Sequence, residues 1–418
     1  MAKVLIVDDS PSILARLSDS IAKVLKYDVV QAESFEEARN RINNHKDIDI
    51  ALLDLGLPDA KDEEIVQYVQ KFNIPIVVLS GSENAKVKEL MANTGIVEYI
   101  IKDRSYAVEY AVNIVQRFIK NKNTHILVVD DSKSFCEKVA YICRQYNLIV
   151  STASSGQEAL EILKTNRDIK LVFVDYIMPN MNGLELTTEI RKSYSKDNLS
   201  IIALSGSDEK DIVAKFLKYG ANDFIAKDFS NEELIARLNV SLDMLELFET
   251  TKKQANCDFL TGLYNRRYFF EHCNKLYLNG KEKNTKISIA MIDIDYFKRL
   301  NDTYGQEVGD LALKHISKLL QNELQGDIIV SRFGGEEFAI FFNGYDEIEA
   351  LKALESFRKT VQNSFFKNEN DKITFTISGG ICSMFGDNID SMLKNADKGL
   401  YKSKENGRNQ MSIYQGES

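Results

Sequence analysis

The apolar residues of this 418-residue chain fall into two patterns. Short unbroken runs, such as Ile50–Leu53 and Leu171–Val174, fit strands of a parallel sheet covered on both faces. Between the runs, apolar residues return at spacings of three and four, which predicts amphipathic helices. The first strands are expected near residues 3–7, 28–31, 49–54, 75–79 and 97–101, with a closing helix near 104–120. The series then repeats. Lys3-Val4-Leu5-Ile6-Val7-Asp8-Asp9-Ser10 returns as His125-Ile126-Leu127-Val128-Val129-Asp130-Asp131-Ser132. Val77-Val78-Leu79-Ser80-Gly81-Ser82 returns as Ile202-Ala203-Leu204-Ser205-Gly206-Ser207, and Tyr99-Ile100-Ile101-Lys102-Asp103 as Phe224-Ile225-Ala226-Lys227-Asp228. Five strand–helix units per copy predict two flavodoxin-like, doubly wound α/β domains. The repeated acids, serines and lysines fall at strand carboxyl ends, where such sheets open their crevice.

The pattern then changes. A helix is expected from Ser230 to Asn256, with Leu234, Leu238, Leu242, Leu245 and Phe248 on one face. It reads either as a stalk that pairs with a second copy or as a terminal helix packed on its own domain. Beyond it, strands near 286–292, 327–331, 338–342 and 373–381 alternate with helices near 266–279, 305–323, 346–363 and 389–402, an α+β order. The expected divisions are residues 1–121, 122–240, a connecting helix at 230–256, and 257–418.

Composition narrows the function classes. A net charge of −9 gives no basic footprint, so no nucleic-acid partner is expected. The five cysteines form no C-x-x-C pair, which supports neither a zinc site nor a disulfide framework. No run reaches the length of a membrane span, and the first apolar run passes straight into Asp8-Asp9, unlike a signal peptide. A cytoplasmic protein without membrane insertion is expected.

In each repeat three carboxylates converge: Asp8, Asp9 and Asp54, then Asp130, Asp131 and Asp175. Such groups repel unless a hard cation joins them, and Mg²⁺ takes oxygen ligands of this kind. Lys102 or Lys227 would neutralise a phosphoryl group on the central aspartate, and Ser80 or Ser205 could bond its oxygens. Both copies resemble receiver domains of two-component response regulators. The resemblance implies Asp54 and Asp175 as phosphoacceptors, and Asp8, Asp9, Asp130 and Asp131 as Mg²⁺ ligands. It implies Ser80 with Tyr99, and Ser205 with Phe224, as pairs that rearrange on phosphorylation. The second copy carries the usual Asp175-Tyr176-Ile177-Met178-Pro179-Asn180-Met181-Asn182-Gly183; the first has Asp54-Leu55-Gly56-Leu57-Pro58-Asp59-Ala60-Lys61-Asp62, without the late glycine. One copy could serve only as a dimerisation adaptor.

In the last third, Arg332-Phe333-Gly334-Gly335-Glu336-Glu337-Phe338 reads as a tight hairpin with carboxylates at its tip. Upstream, the strand Met291-Ile292-Asp293-Ile294-Asp295 ends in two more acids. Carboxylates at strand ends beside a glycine hairpin suit Mg²⁺ and a nucleotide triphosphate. With Asp258-Phe259-Leu260-Thr261-Gly262-Leu263-Tyr264-Asn265-Arg266-Arg267, these motifs resemble the GGDEF diguanylate cyclases, whose domain is an α+β, nucleotide-cyclase-like fold. The resemblance implies Asp293, Glu336 and the carbonyl of Ile294 as ligands of Mg²⁺, with Mn²⁺ an alternative, and Glu337 as an acid beside them. Glu336 would be the base for a 3′-hydroxyl, and Lys298 the cation offsetting charge on the transferring phosphate. Asn301 and Asp310 would read guanine, with Phe297 lining the nucleotide site and Lys404 and Arg408 on the triphosphate.

The whole then implies a phosphorylation-regulated diguanylate cyclase that condenses two GTP molecules. A histidine kinase or small phosphodonor would activate it, and a homodimer would form on activation. A non-catalytic phosphotransfer or nucleotide-binding module is the alternative. Gln325 and Ile328 stand where relatives carry the charged R-x-x-D product site, so feedback through that site is not expected.

Overall fold

A computed structural model describes residues 2–81, 96–102, 106–206, 210–368 and 371–416. Ser82, Asp103, Ser207 and the expected helix start at 104 lie outside the described residues. The chain divides into two compact units, Met1–Glu249 and Thr250–Ser418.

The first unit holds two five-stranded parallel sheets, each ordered second, first, third, fourth, fifth strand. The first contains Lys3–Val7, Asp28–Ala32, Ile50–Asp54, Ile76–Ser80 and Ile96–Ile101. The second contains His125–Val129, Ile149–Ala153, Ile169–Asp175, Ser200–Ser205 and Asp223–Ala226. The apolar runs of the central strands, Ile50–Asp54 and residues 171–175, are buried because helices cover both faces. The helix after the fifth strand of the first domain is Ala107–Asn121.

Two amide side chains join the domains. Asn121 donates to the Tyr146 carbonyl and Asn147 to the Phe118 carbonyl, each at 3.0 Å. Arg117 pairs with Asp243 and, at 2.6 Å, with Glu246, which Lys120 also meets at 2.7 Å.

The long helix is Asn231–Asn256. Its expected apolar stripe does not face outward: Leu234, Leu238, Leu242 and Leu245 complete the core of the second domain beside Ile126, Phe173 and Ile225. Spacing fixes which residues share a helix face but not which partner covers it. The stripe therefore serves its own domain, and Phe248 alone of the expected set is exposed. A different face carries the uncovered apolar residues Val240, Met244 and Leu247.

In the second unit a six-stranded mixed sheet has the order Tyr264–Asn265, Ile328–Gly334, Glu337–Asn343, Ile287–Ile294, Ile377–Cys382, Met411–Ile413. The single strand expected at 373–381 is two. Asp371–Ile373 pairs in a separate hairpin with Phe366–Asn368, while Ile377–Cys382 joins the main sheet. A helix absent from the pattern reading, Phe297–Tyr304, follows the acid-bearing strand. It spans two turns, too few for periodicity to show. Among the described residues no helix is long and apolar enough to cross a membrane.

Candidate functional site

The parallel sheets place Asp54 and Asp175 at the last residue of the third strand, with Asp8 and Asp130 just beyond the first. In each crevice one oxygen from each of the three carboxylates lies within 4.8 Å of the others, with two acids buried and Asp9 or Asp131 exposed. Lys102 Nζ sits 2.7 Å from both Asp8 and Asp54. Lys227 Nζ sits 2.8 Å from both Asp130 and Asp175. Ser80 and Ser205 end the fourth strands and are buried.

Burial pushes Asp8 above the ordinary carboxylate range, and Asp54 adds to it against the pull of Lys102. Burial does the same to Asp175, with Asp130 adding and Lys227 opposing. Lys227 loses to burial but gains more from its two carboxylates, so it is held above the ordinary lysine value. Three carboxylates against one ammonium leave excess negative charge, and oxygen-only donors at this spacing fit a small hard dication. The residues present therefore fit Mg²⁺.

The aromatics expected to rearrange, Tyr99 and Phe224, differ in their surroundings. Phe224 lies under Arg237 of the long helix, whose guanidinium carbon is 5.4 Å from the ring centroid and whose Nη1 pairs with Asp223 at 3.0 Å. Tyr99 follows Glu98, whose carboxyl is pushed up by burial and by Glu232, against hydrogen bonds from the Tyr99 N–H and the Tyr146 and Tyr110 hydroxyls.

In the second unit Asp293 lies opposite Glu337 in the antiparallel pairing, with Glu336 in the two-residue turn between the hairpin strands. Gly335 takes φ +48°, a left-handed value suited to glycine. Asp293 is nearly fully buried, and that burial pushes its carboxyl up to about 6; Lys404 pulls down, while Glu336 and Glu337 push up. Lys404 Nζ is 2.8 Å from Asp293. This lysine, expected on triphosphate, thus answers the charge of the buried acid. Among the described residues only the two receiver triads gather three acids at close spacing, so Asp293, Glu336 and Glu337 form a looser set. Oxygen donors from adjoining strands still suit a hard dication.

Phe297, Lys298 and Asn301 share the short helix, and Asp310 lies in the first turns of the next, Gln306–Glu323. Lys298 and Asp310 are exposed. Asn301 Oδ1 is buried without a hydrogen-bond partner. A Cβ on Gly309 would sit 1.9 Å from that oxygen, so a larger residue there would have to push the Asn301 amide aside.

Pattern reading missed several residues. Asp295, grouped with the metal-binding acids by sequence, is fully engaged elsewhere. It accepts from Thr376 Oγ1 at 2.7 Å, Ser378 Oγ at 2.6 Å and the Asn409 N–H at 3.0 Å, so it anchors the loop carrying Arg408. Arg332 pairs with Asp258 at 2.9 Å and donates to the Gly335 carbonyl at 2.8 and 3.1 Å. Thr261 Oγ1 donates to the same Asp258 at 2.6 Å. The Asp258-x-x-Thr261 spacing, a local side-chain turn, was the available signal.

Two aspartate–lysine crevices in parallel α/β domains, followed by an acidic hairpin in a mixed-sheet domain, define a multidomain α/β architecture. Residues 4–108 and 126–239 match the family model described as response regulator receiver domain, and residues 255–410 match that described as diguanylate cyclase, GGDEF domain. The chain belongs to the response regulators that join receiver domains to a GGDEF domain. It is 28% identical over 304 residues to Response regulator PleD of Caulobacter vibrioides, covering 68% of this chain and 64% of that protein. Diguanylate cyclase A of Treponema denticola is 35% identical over 188 residues, covering 44% of this chain and 49% of its own length. The match thus spans less than two thirds of either curated relative. A solved chain described as a two-component response regulator/GGDEF domain protein is 36% identical, with a TM-score of 0.55, covering 59% of this chain and all of that one.

Proposed function

We propose that the protein is a cytoplasmic, phosphorylation-regulated diguanylate cyclase that converts two GTP molecules into cyclic di-GMP and two pyrophosphates. The observation that carries this reading is the pairing of buried Asp293 with the hairpin of Glu336 and Glu337, with Lys404 at 2.8 Å. In each half-reaction a 3′-oxygen attacks an α-phosphate, one P–O bond forms, and pyrophosphate leaves with the electrons of the bond that breaks. Glu336 takes the hydroxyl proton. Asp310, exposed at the start of its helix, and Asn301 would read the donor edge of guanine, an arrangement adenine does not offer. Lys298 and Arg408 meet the developing and leaving negative charge.

Asp293, the Ile294 carbonyl and Glu336 would hold Mg²⁺ or Mn²⁺, which when bound neutralises the triphosphate. Each domain would hold one GTP, so two copies of the chain face each other in a two-fold arrangement. The uncovered stripe Val240, Met244 and Leu247 supports such pairing along the long helix. A histidine kinase or small phosphodonor would phosphorylate Asp54, Asp175 or both, with Lys102 and Lys227 exchanging a carboxylate for the phosphoryl group.

Purified protein with GTP and Mg²⁺ tests the reading. Cyclic di-GMP should accumulate, and Glu336→Gln should abolish it. GTP binding without turnover would show a receptor instead. Gln325 and Ile328 carry no charge where relatives carry the R-x-x-D pair, which supports the absence of product feedback there. Low-micromolar inhibition by cyclic di-GMP that disappears in Gln325→Ala would contradict it.

A further inference from the structure

Tyr296 lies between Asp295, which anchors the Arg408 loop, and Phe297, which begins the short helix. Its backbone is left-handed, φ +56° and ψ +32°, which a bulky residue adopts only at a cost. The residue is 59% exposed, so burial does not offset the strain. What covers it is the guanidinium of Arg408, whose central carbon lies 4.5 Å from the ring centroid. Arg408 is itself left-handed at φ +65°, as is Asn409 at φ +48°.

The loop is held in that shape from several sides. The Arg408 N–H donates to the Ser403 carbonyl at 3.0 Å, and Arg358 Nη1 donates to Asn409 Oδ1 at 2.8 Å. Two strained segments, distant in sequence, thus converge to lay one guanidinium on one ring. Arg408 makes no ion pair among the described residues. Its side-chain contacts there are long: 3.5 Å to Tyr296 Oη and 3.4 Å to the Lys404 carbonyl. A ring face orients a guanidinium without cancelling its charge and leaves its N–H edges available. A carboxylate partner would have occupied those edges.

We propose that Tyr296 is a positioning residue for the nucleotide's polyphosphate, presenting Arg408 in one preset orientation near Lys404, whose Nζ meets Asp293. The effect is preorganisation: a restrained arginine loses less rotamer freedom when phosphate arrives. This inference rests on the cyclase reading and deepens it.

The test uses the full chain with Mg²⁺ and two probes. One is the GTP analogue with a methylene bridge between the α- and β-phosphates, which cannot release pyrophosphate. The other is GMP, which lacks the polyphosphate. Tyr296→Asn removes the ring while keeping a residue that tolerates the left-handed backbone. It should weaken binding of the analogue about two- to fivefold, the range of an exposed cation–π contact. GMP binding should not change, and Tyr296→Phe should restore most of the loss. In an Arg408→Ala background, Tyr296→Asn should have no further effect. With GTP itself, KM should rise while kcat changes little. Unchanged binding of the analogue by Tyr296→Asn, equal losses for both probes, or no binding of the analogue by the wild type would each overturn the inference. Wild-type binding without cyclic product would instead overturn the cyclase reading, while the two binding probes would still decide the role of Tyr296.

Discussion

The two receiver domains share strand order, acid triad and lysine, yet they connect to the rest of the protein differently. In the second, Leu234, Leu238, Leu242 and Leu245 of the long helix are the domain's own core, and Arg237 of that helix lies over Phe224, the proposed switch aromatic. Any rearrangement at Phe224 meets the helix directly. The first reaches the same helix through Arg117 and Lys120, which pair with Asp243 and Glu246. Those acids are half exposed, so the pairs are screened and individually weak. Duplicated chemistry has thus been given unequal mechanical access to one helix.

The largest expected effect on activity follows from that inequality. Asp175→Asn should remove a phosphodonor-dependent rise in turnover, on the order of tenfold for a typical coupling. Asp54→Asn should remove a smaller share. Turnover with and without a small phosphodonor measures both, and a reversed ranking would break the comparison.

The second prediction concerns the loop after Asp175. A Cβ on Gly183 would sit 2.1 Å from the Asp175 carbonyl oxygen, so Gly183→Ala must displace backbone. It should cost about 3 kcal/mol, read by denaturant unfolding. The first domain, which lacks that glycine, ties its loop down through Asp59, whose carboxylate accepts from the Phe35 and Glu36 N–H groups.

Third, Lys102→Met and Lys227→Met each leave crowded carboxylates without their counter-charge, at a cost of up to about 3 kcal/mol. The effect should be larger at Lys102, whose side chain is 16% exposed against 32% for Lys227. Added Mg²⁺ should restore part of the stability in both, seen as a shift in melting temperature.

The smallest effect is expected at Glu98, whose carboxyl burial holds above its ordinary range. A raised carboxyl favours the folded state most where it is protonated in both states, and that advantage is lost as pH rises through its folded value. Glu98→Gln should therefore stabilise the first unit at pH 7 by one or a few degrees, with the difference closing below about pH 4. Equal melting temperatures at pH 7 would show that this boundary carries no such cost.

Much of this was legible in the sequence. Unbroken apolar runs announce buried parallel strands, and the crevice acids are adjacent to those runs. The acidic hairpin and the Asp293 strand were legible for the same reason. What escaped depends on long-range partners. Asp293 and Asp295 look equivalent in the chain, yet Thr376 and Ser378 engage one and Lys404 the other. Arg332 acquires its role only when Asp258 is folded against it. The leucine stripe of the long helix was real, but spacing carries no information about whether the covering surface belongs to the same domain.

The most direct test of the central claim is cyclic di-GMP production from GTP and Mg²⁺ by the full chain, with and without beryllofluoride. Product that forms faster with the phosphate mimic, and a response lost in the Asp54→Asn, Asp175→Asn double variant, is the predicted result. No product under either condition, or a rate indifferent to the mimic in the wild type, would contradict it.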